Sequence, residues 1–458
     1  MPTLISKTTS DRPVSMAAES PLLSHKARLP YGGRGDIASS TTIDVRHVTD
    51  NDIPEWTRTW STGYLRTPGE DTADHIREAL IGARAIGAFE ADRCVGTYRS
   101  TTQELTVPGG ATLPACTLSK VTVAGTHRRR GLLRRMLDMD MREAGGRGEA
   151  VAILDAAEYA IYGRFGFGPA ASMAWFTIDV HRAHVDRRQM DDTVGVELVT
   201  AAEYRKLASD VYERFRTTQP GALRRDDAWW DQATGLRTSL GSHWVEPYFA
   251  VYTSASTGEV DGFVCFTAEE AWQAMQPHSP LLVKDLIALN PAAERALTRY
   301  VVKVDWVSTV HLPCRAPDTL APRWLGDPRA ARVTALSDYL WLRILDVPRA
   351  LSARTYAVDG SLVLKIKDAD GYGEGTWLLD GGPQGATCVP TTRPADIVLG
   401  VDALAALYLG DDSFTRLAAL TSIEEERAGA LAVADAMFRT ARRPWSPRAA
   451  THPEARPC

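Results

Sequence analysis

What the chain lacks narrows the possibilities first. Its six cysteines (Cys94, Cys116, Cys265, Cys314, Cys388 and Cys458) show no C-x-x-C spacing, so neither a disulfide framework nor a zinc site is expected. No apolar run approaches the length of a membrane helix, and the N-terminus has no signal-peptide core. The expectation is a cytoplasmic protein with no membrane partner. Charge of one sign is not in excess either: a formal net charge of −5 argues against a general nucleic-acid binder. No motif marks a nucleophilic serine or cysteine, and no metal is signalled or required.

What remains is an ordinary globular composition, 44% hydrophobic and 24% charged, over 458 residues, enough for two or three cores. Residues 1–40, rich in Ser, Thr, Pro and Gly, read as a disordered leader. Ile43 to Val48 reads as a strand, and the helix after it carries Pro54 and Glu55 in its first turn. Trp56 and Trp60 stand four apart on that helix. Two core-facing aromatics account for them more simply than a substrate cleft does. Ala85 to Phe89 and Cys94 to Tyr98 form a hairpin about Ala91-Asp92-Arg93. A turn region covers Leu105 to Thr112, Cys116 to Val123 is the next strand, and Ala150 to Leu154 is a buried one.

The stretch Leu118-Ser119-Lys120-Val121-Thr122-Val123-Ala124-Gly125-Thr126-His127-Arg128-Arg129-Arg130-Gly131-Leu132-Leu133 organises the rest. Val121 and Val123 alternate with polar neighbours, as strand residues do. Leu132, Leu133, Met136 and Leu137 then recur with helical spacing up to Gly145-Gly146. A strand, a tight basic turn and a helix start expose unpaired N–H groups at the positive end of the helix dipole, a setting suited to a pyrophosphate. Arg128 to Arg130 add forked donors. Three arginines alone would read as a solvated turn; their place between strand and helix favours a phosphate cradle. Downstream, Ile161-Tyr162-Gly163-Arg164-Phe165-Gly166-Phe167-Gly168-Pro169 interleaves glycines with aromatics and marks an irregular, closely packed segment. On spacing alone, Tyr162 is as well explained by packing as by chemistry.

Together these two motifs resemble the enhanced intracellular survival (Eis) acetyltransferases of actinobacteria, a branch of the GNAT superfamily. The superfamily loop pattern is Q/R-x-x-G-x-G/A; Arg129 to Arg134 here carries a single glycine. The resemblance implies acetyl-CoA as co-substrate, held by Val121, Thr122, Val123, Arg128, Arg129, Arg130, Gly131, Leu132, Leu133 and Arg134, and by a Ser-Glu pair that here reads Ala157-Glu158. It implies Tyr162 as proton donor to the leaving thiolate, and a C-terminal carboxylate as proton acceptor. The family ends in phenylalanine; this chain ends in Arg456-Pro457-Cys458, so Cys458 is a candidate by position, and a disordered tail explains it equally well. It also implies a homohexamer.

The expected fold is mixed α/β (α+β), with tandem GNAT-like domains followed by a sterol-carrier-like C-terminal domain. The expected boundaries are leader 1–40, catalytic domain 41–185, degenerate second domain 186–325, sterol-carrier-like domain 326–440 and tail 441–458. A Gly/Asp-rich break between Val180 and Val194 separates the first two domains. In the second, Phe249 to Tyr252 and Val260 to Phe266 suggest a hairpin. Leu282 to Leu289 reads as a strand, and Pro291 opens a helix. Pro313 to Pro328 reads as a linker. Leu362 to Ile366, Gly375 to Leu379 and a helix from Asp402 to Tyr408 follow, with Met437 and Phe438 closing the last helix. The function implied is direct acetyl transfer from acetyl-CoA to a primary amine of a small molecule or peptide, aminoglycosides included. Glu55, Glu70, Asp71 and Asp74 could receive a cationic substrate, although a solvated loop explains them more simply. A lysine or peptide acetyltransferase and a non-catalytic CoA or apolar-ligand binder are the rivals.

Overall fold

The computed structural model describes residues 42–66, 76–77, 80–184, 195–237, 244–420 and 423–447. The leader, the acidic positions Glu70, Asp71 and Asp74, and the tail from 448 to Cys458 lie outside the described residues.

The first four strands, β1 (Asp44–His47), β2 (Arg84–Glu90), β3 (Arg93–Thr106) and β4 (Thr112–Val123), form an antiparallel sheet. Helix α1 (Ile53–Gly63) follows β1, with Pro54 in the first turn, where an N–H has no intrahelical acceptor. Helix α2 (Leu132–Ala144) follows β4 and buries Leu132, Met136, Leu137 and Met141 on one face. Each of these contributes roughly 2 kcal/mol. The helices cover opposite faces: Ile86 and Ala88 of β2 pack with α2, whereas Ala85 and Phe89 pack with Ile53 and Trp56. Trp56 is a core residue as expected, its indole donating to the Ile86 carbonyl at 3.0 Å.

β5 (Val151–Asp155) lies parallel to β4 and leads into the short helix α3 (Tyr159–Tyr162) and then β6 (Gly168–Asp179). The order recurs in the second half. It runs β7 (Val196–Val199), α4 (Ala201–Arg216), α5 (Asp227–Ala233), β8 (Tyr248–Thr253), β9 (Val260–Ala268), a small hairpin β10 (Trp272–Gln273) and β11 (Gln276–Pro277), β12 (Ser279–Ala288), α6 (Pro291–Lys303), β13 (Val307–Arg315) and β14 (Ala331–Ile344). Twelve of these strands share one sheet, ordered β1-β2-β3-β4-β5-β14-β6-β13-β12-β9-β8-β7. The last strand of each half is exchanged: β14 sits beside β5, and β6 sits beside β13.

The proline-rich stretch from Pro313 to Pro328 differs from the linker expected of it. Pro313 lies within β13, where the ladder to β6 shifts register between Leu312 and Arg315, a place that tolerates a missing N–H. Ala321 and Leu325 then bury into the core of the second half.

The third part holds a five-stranded sheet, with β15 (Gly360–Lys367), β16 (Gly375–Gly382), β17 (Gly385–Pro390), β18 (Ile397–Gly400) and β19 (Glu424–Glu425) in the order β17-β16-β15-β18-β19. Helices α7 (Val347–Ala353), α8 (Val401–Tyr408), α9 (Phe414–Ala418) and α10 (Ala430–Phe438) accompany it. Leu362, Leu404 and Leu407 share one core with Leu340, Leu342 and Ile344 of β14. Gly168 permits this contact, because a β-carbon there would overlap the Asp402 carbonyl and the Ala406 amide of α8. Gly168→Ala is therefore expected to destabilise the protein by about 1–3 kcal/mol, as overpacking does, in urea or thermal melts.

Candidate active site

β4 and β5 hydrogen-bond only at Ala115–Val151, Cys116–Ala152 and Thr117–Ile153. β4 then continues to Val123 and β5 to Asp155 without a ladder between them. Backbone polar groups on the walls of such a wedge need partners, so the wedge suits an extended, amide-bearing ligand. Beside it, β4 carries a bulge. Thr97 faces Thr122 while Arg99 faces Ser119, so Lys120 and Val121 oppose only Tyr98. Lys120 adopts a left-handed φ of 51°, and its carbonyl accepts from the Thr97 hydroxyl at 2.7 Å. Bulges of this kind re-aim side chains.

The basic loop follows directly. A 3-10 turn covers Gly125–His127, Arg129 and Gly131 both take positive φ, and Gly131, the residue before α2, supplies no side-chain cap. Its first-turn N–H groups, at Leu132, Leu133 and Arg134, have no intrahelical acceptor. Arg128, Arg129 and Arg130 are exposed around them. The corresponding helix α6 differs in one respect: Asn290 caps it, accepting from the Ala293 N–H at 2.9 Å. One helix start is open to an anion and the other is closed by its own side chain. The expected members do not all gather at the cradle. Arg134 pairs with Asp370 and lies 5.1 Å from the Phe165 ring centroid. Ala157 and Glu158 stand exposed between β5 and α3.

Tyr162 ends α3, buried edge-on against Phe167 with ring centroids 5.9 Å apart. Burial, then the neighbouring Tyr64 and Glu158, push its phenol well above the ordinary tyrosine range. The hydroxyls of Tyr212, Tyr356 and Tyr408 donate to backbone carbonyls. That of Tyr162 has no protein acceptor among the described residues. This weighs against a purely packing role.

Lys120 is the residue that sequence reasoning misses. Its ammonium group lies 3.3 Å from the Trp60 ring centroid. Burial, then the charges of Arg99 and Arg66, lower its pKa to about 7. The Trp60 face opposes this by favouring the cation by roughly 1 kcal/mol. Gly63 lets α1 approach β4 closely, since a β-carbon there would overlap the Thr122 side chain. Trp60 is half-buried, packed against the core of Ile53, Trp56 and Phe89 as expected, and it also faces the Lys120 ammonium.

A cleft of about 230 Å³ opens where β4 and β5 diverge, walled by Thr117, Leu118, Leu154, Asp155, Arg225 and Pro447. The end of the described chain is pinned beside it. Trp445 donates through its backbone N–H to Pro220 and through its indole to Cys314, and Arg225 reaches the Pro447 carbonyl at 3.4 Å. Cys458 lies beyond the described residues. Among those residues, no helix is long and apolar enough to cross a membrane, and no group of three His, Cys, Asp or Glu could hold a metal ion.

A splayed parallel pair, a bulged strand and an uncapped helix after a basic loop describe a GNAT site, and comparison with known proteins agrees. Residues 44–170 and 221–344 each match an acetyltransferase (GNAT) domain, and residues 347–447 match a sterol carrier protein domain. An uncharacterized N-acetyltransferase of Streptomyces griseus is 50% identical over 89% of this chain and 99% of its own length. N-acetyltransferase Eis of Mycobacterium tuberculosis is 34% identical over 87% of this chain and 97% of its own. The crystal structure of Eis1 from Mycobacterium abscessus superimposes with a TM-score of 0.76 at 29% identity, covering 88% of this chain and 99% of that one. The chain is an N-acetyltransferase of the GNAT class. Within that class it belongs to the Eis family.

Proposed function

We propose that the protein transfers acetyl from acetyl-CoA directly to a primary amine of a small molecule or peptide, aminoglycosides among them. The observation that carries this reading is the uncapped, arginine-flanked start of α2 beside the β4–β5 wedge, with Tyr162 near by. Arg128 to Arg130 and the N–H groups of Gly131, Leu132 and Leu133 would hold the pyrophosphate. Val121 to Val123 would offer backbone partners to the pantetheine amides, and, by family resemblance, a backbone N–H near Val123 would polarise the acyl oxygen. The thioester supplies an activated carbonyl and a thiolate leaving group. Tyr162, kept neutral by its surroundings, gives its proton to that thiolate. The C-terminal carboxylate of Cys458 is the proton acceptor that family resemblance assigns, and the same resemblance supports a homohexamer.

The charges acting on Lys120 are those of Arg99 and Arg66. Two guanidinium groups disfavour a dense polycation at that point, which keeps a lysine or peptide amine as the second reading. The test is thiol release from acetyl-CoA with aminoglycosides, diamines and lysine peptides. Turnover with any of them supports the transferase. Tight CoA binding with no release in any case favours a binding protein instead. For the cradle, Arg129→Ala with Arg130→Ala is expected to weaken acetyl-CoA binding at least about tenfold by calorimetry. Each charge-assisted contact is worth roughly 1.5–3 kcal/mol. The loss should shrink as salt rises.

A further inference from the structure

We propose that Lys120 is the group that takes the proton from the acceptor ammonium. This rests on the transferase reading above and gives it a base built into the described fold. The geometry comes first. Lys120 stands on the part of β4 beyond its last pair with β5, beside the wedge that would hold the pantetheine chain. The bulge turns it onto the face covered by α1, where it lies against Trp60. Gly63 brings that helix against Thr122, so the end of α1 and the bulge form one wall. Tyr64, at the end of the same helix, is near enough to Tyr162 to raise its pKa. Residues at the end of α1 thus stand near both Lys120 and the proposed proton donor.

The surroundings suit a base. From β3 Lys120 faces Arg99, and from the end of α1 it faces Trp60 and Arg66. On its own strand Ser119 and Thr122 are neutral, and the charges acting on it are both cationic. With a pKa of about 7 it is substantially an amine at neutral pH, whereas ordinary lysines are ammonium ions. The same guanidinium groups would lower the pKa of an incoming substrate amine. The steps balance. A first proton passes from the substrate ammonium to the Lys120 amine and on to solvent, and the freed lone pair forms the C–N bond. As the C–S bond breaks, the nitrogen gives its second proton to the Lys120 amine and the Tyr162 hydroxyl protonates the sulfur. That second proton then returns from Lys120, through solvent, to the Tyr162 phenolate, so each turnover releases one proton.

The chain has only eight lysines, which makes a direct titration practical. In protein labelled with 13C-lysine, the Cε shifts are followed from pH 5 to 11, and the Lys120 signal is assigned by its loss in Lys120→Arg. The Lys120 signal should titrate near pH 7. In kinetics, Lys120→Met should lower kcat/KM at pH 7 by about 10²–10⁴-fold and abolish the inflection near pH 7, with acetyl-CoA affinity retained. Lys120→Arg, which stays protonated, should fail likewise. Lys120→His should recover part of the rate with the inflection moved towards about 6.5. Folding is a separate readout. The unfolded state binds the Lys120 proton up to pH 10.5 and the folded state only to about 7, so this residue costs stability below 10.5. Lys120→Met should therefore melt no lower than wild type at pH 7. A Lys120 signal titrating near 10, an inflection unmoved in Lys120→Met, or full activity in that variant would overturn the assignment. If chain ending at Pro447 loses all activity while Lys120→Met keeps it, the base lies in the tail. A wild type that acetylates no amine at all would remove the transferase reading, and this role with it.

Discussion

Tyr162→Phe should lower the rate of thiol release by about 10²–10⁴-fold while leaving the affinity for acetyl-CoA nearly unchanged. The substitution deletes one hydroxyl and keeps the ring that packs edge-on against Phe167. That hydroxyl has no acceptor among the described residues, so its loss strands no partner and should cost little stability. The rate should fall in single-turnover thiol release, where product dissociation does not contribute. Burial, with Tyr64 and Glu158, holds the phenol above the usual range. The acid form therefore persists through neutral pH, and no alkaline loss of wild-type activity should be set by this group below about pH 10. Calorimetry with acetyl-CoA separates binding from chemistry. Unchanged turnover in Tyr162→Phe would return Tyr162 to a packing role.

The parts of the site that depend on neighbours in sequence are legible in the sequence. Val121 to Leu133 carry strand, turn and helix start within one short stretch, and the open cap at Gly131 is visible as the absence of a Ser, Thr, Asp or Asn before the apolar run. Asn290 and Pro291 show the opposite case equally plainly. Pairing between distant segments is not legible. The Lys120 bulge exists only through the register of β4 against β3. In a strand that alternates polar and apolar residues, this lysine simply reads as part of the solvent face. Family resemblance sets Arg134 in the cradle; its ion pair with Asp370, far along the chain, could not be read from the sequence. The exchange of β6 and β14 and the absorption of Pro313 into β13 also depend on which strands meet. α4 is a milder case. Thr200 and Glu203 form a capping box that announces its start, a sequence signal fully present before that helix.

Arg225→Met should destabilise the protein by about 3–5 kcal/mol, the cost of stranding a buried charge. Arg225 is buried with its guanidinium 3.8 Å from the Tyr212 ring centroid and 4.0 Å from that of Trp229. It bonds Asp285 at 2.6 Å, and both side chains are nearly inaccessible. Without it, the Asp285 carboxylate remains among apolar and aromatic groups with its cation gone. Combining Arg225→Met with Asp285→Leu removes both charges and should recover most of the loss in urea melts. The pair of variants also separates stability from function. Arg225 holds the Pro447 carbonyl and walls the cleft where β4 and β5 diverge. The double variant cannot restore that contact, so it should fold well and still turn over slowly if the terminal segment helps to shape the acceptor site. Full activity in the double variant would show that Arg225 serves the fold alone, and that the segment at Trp445 is held well enough by Pro220 and Cys314.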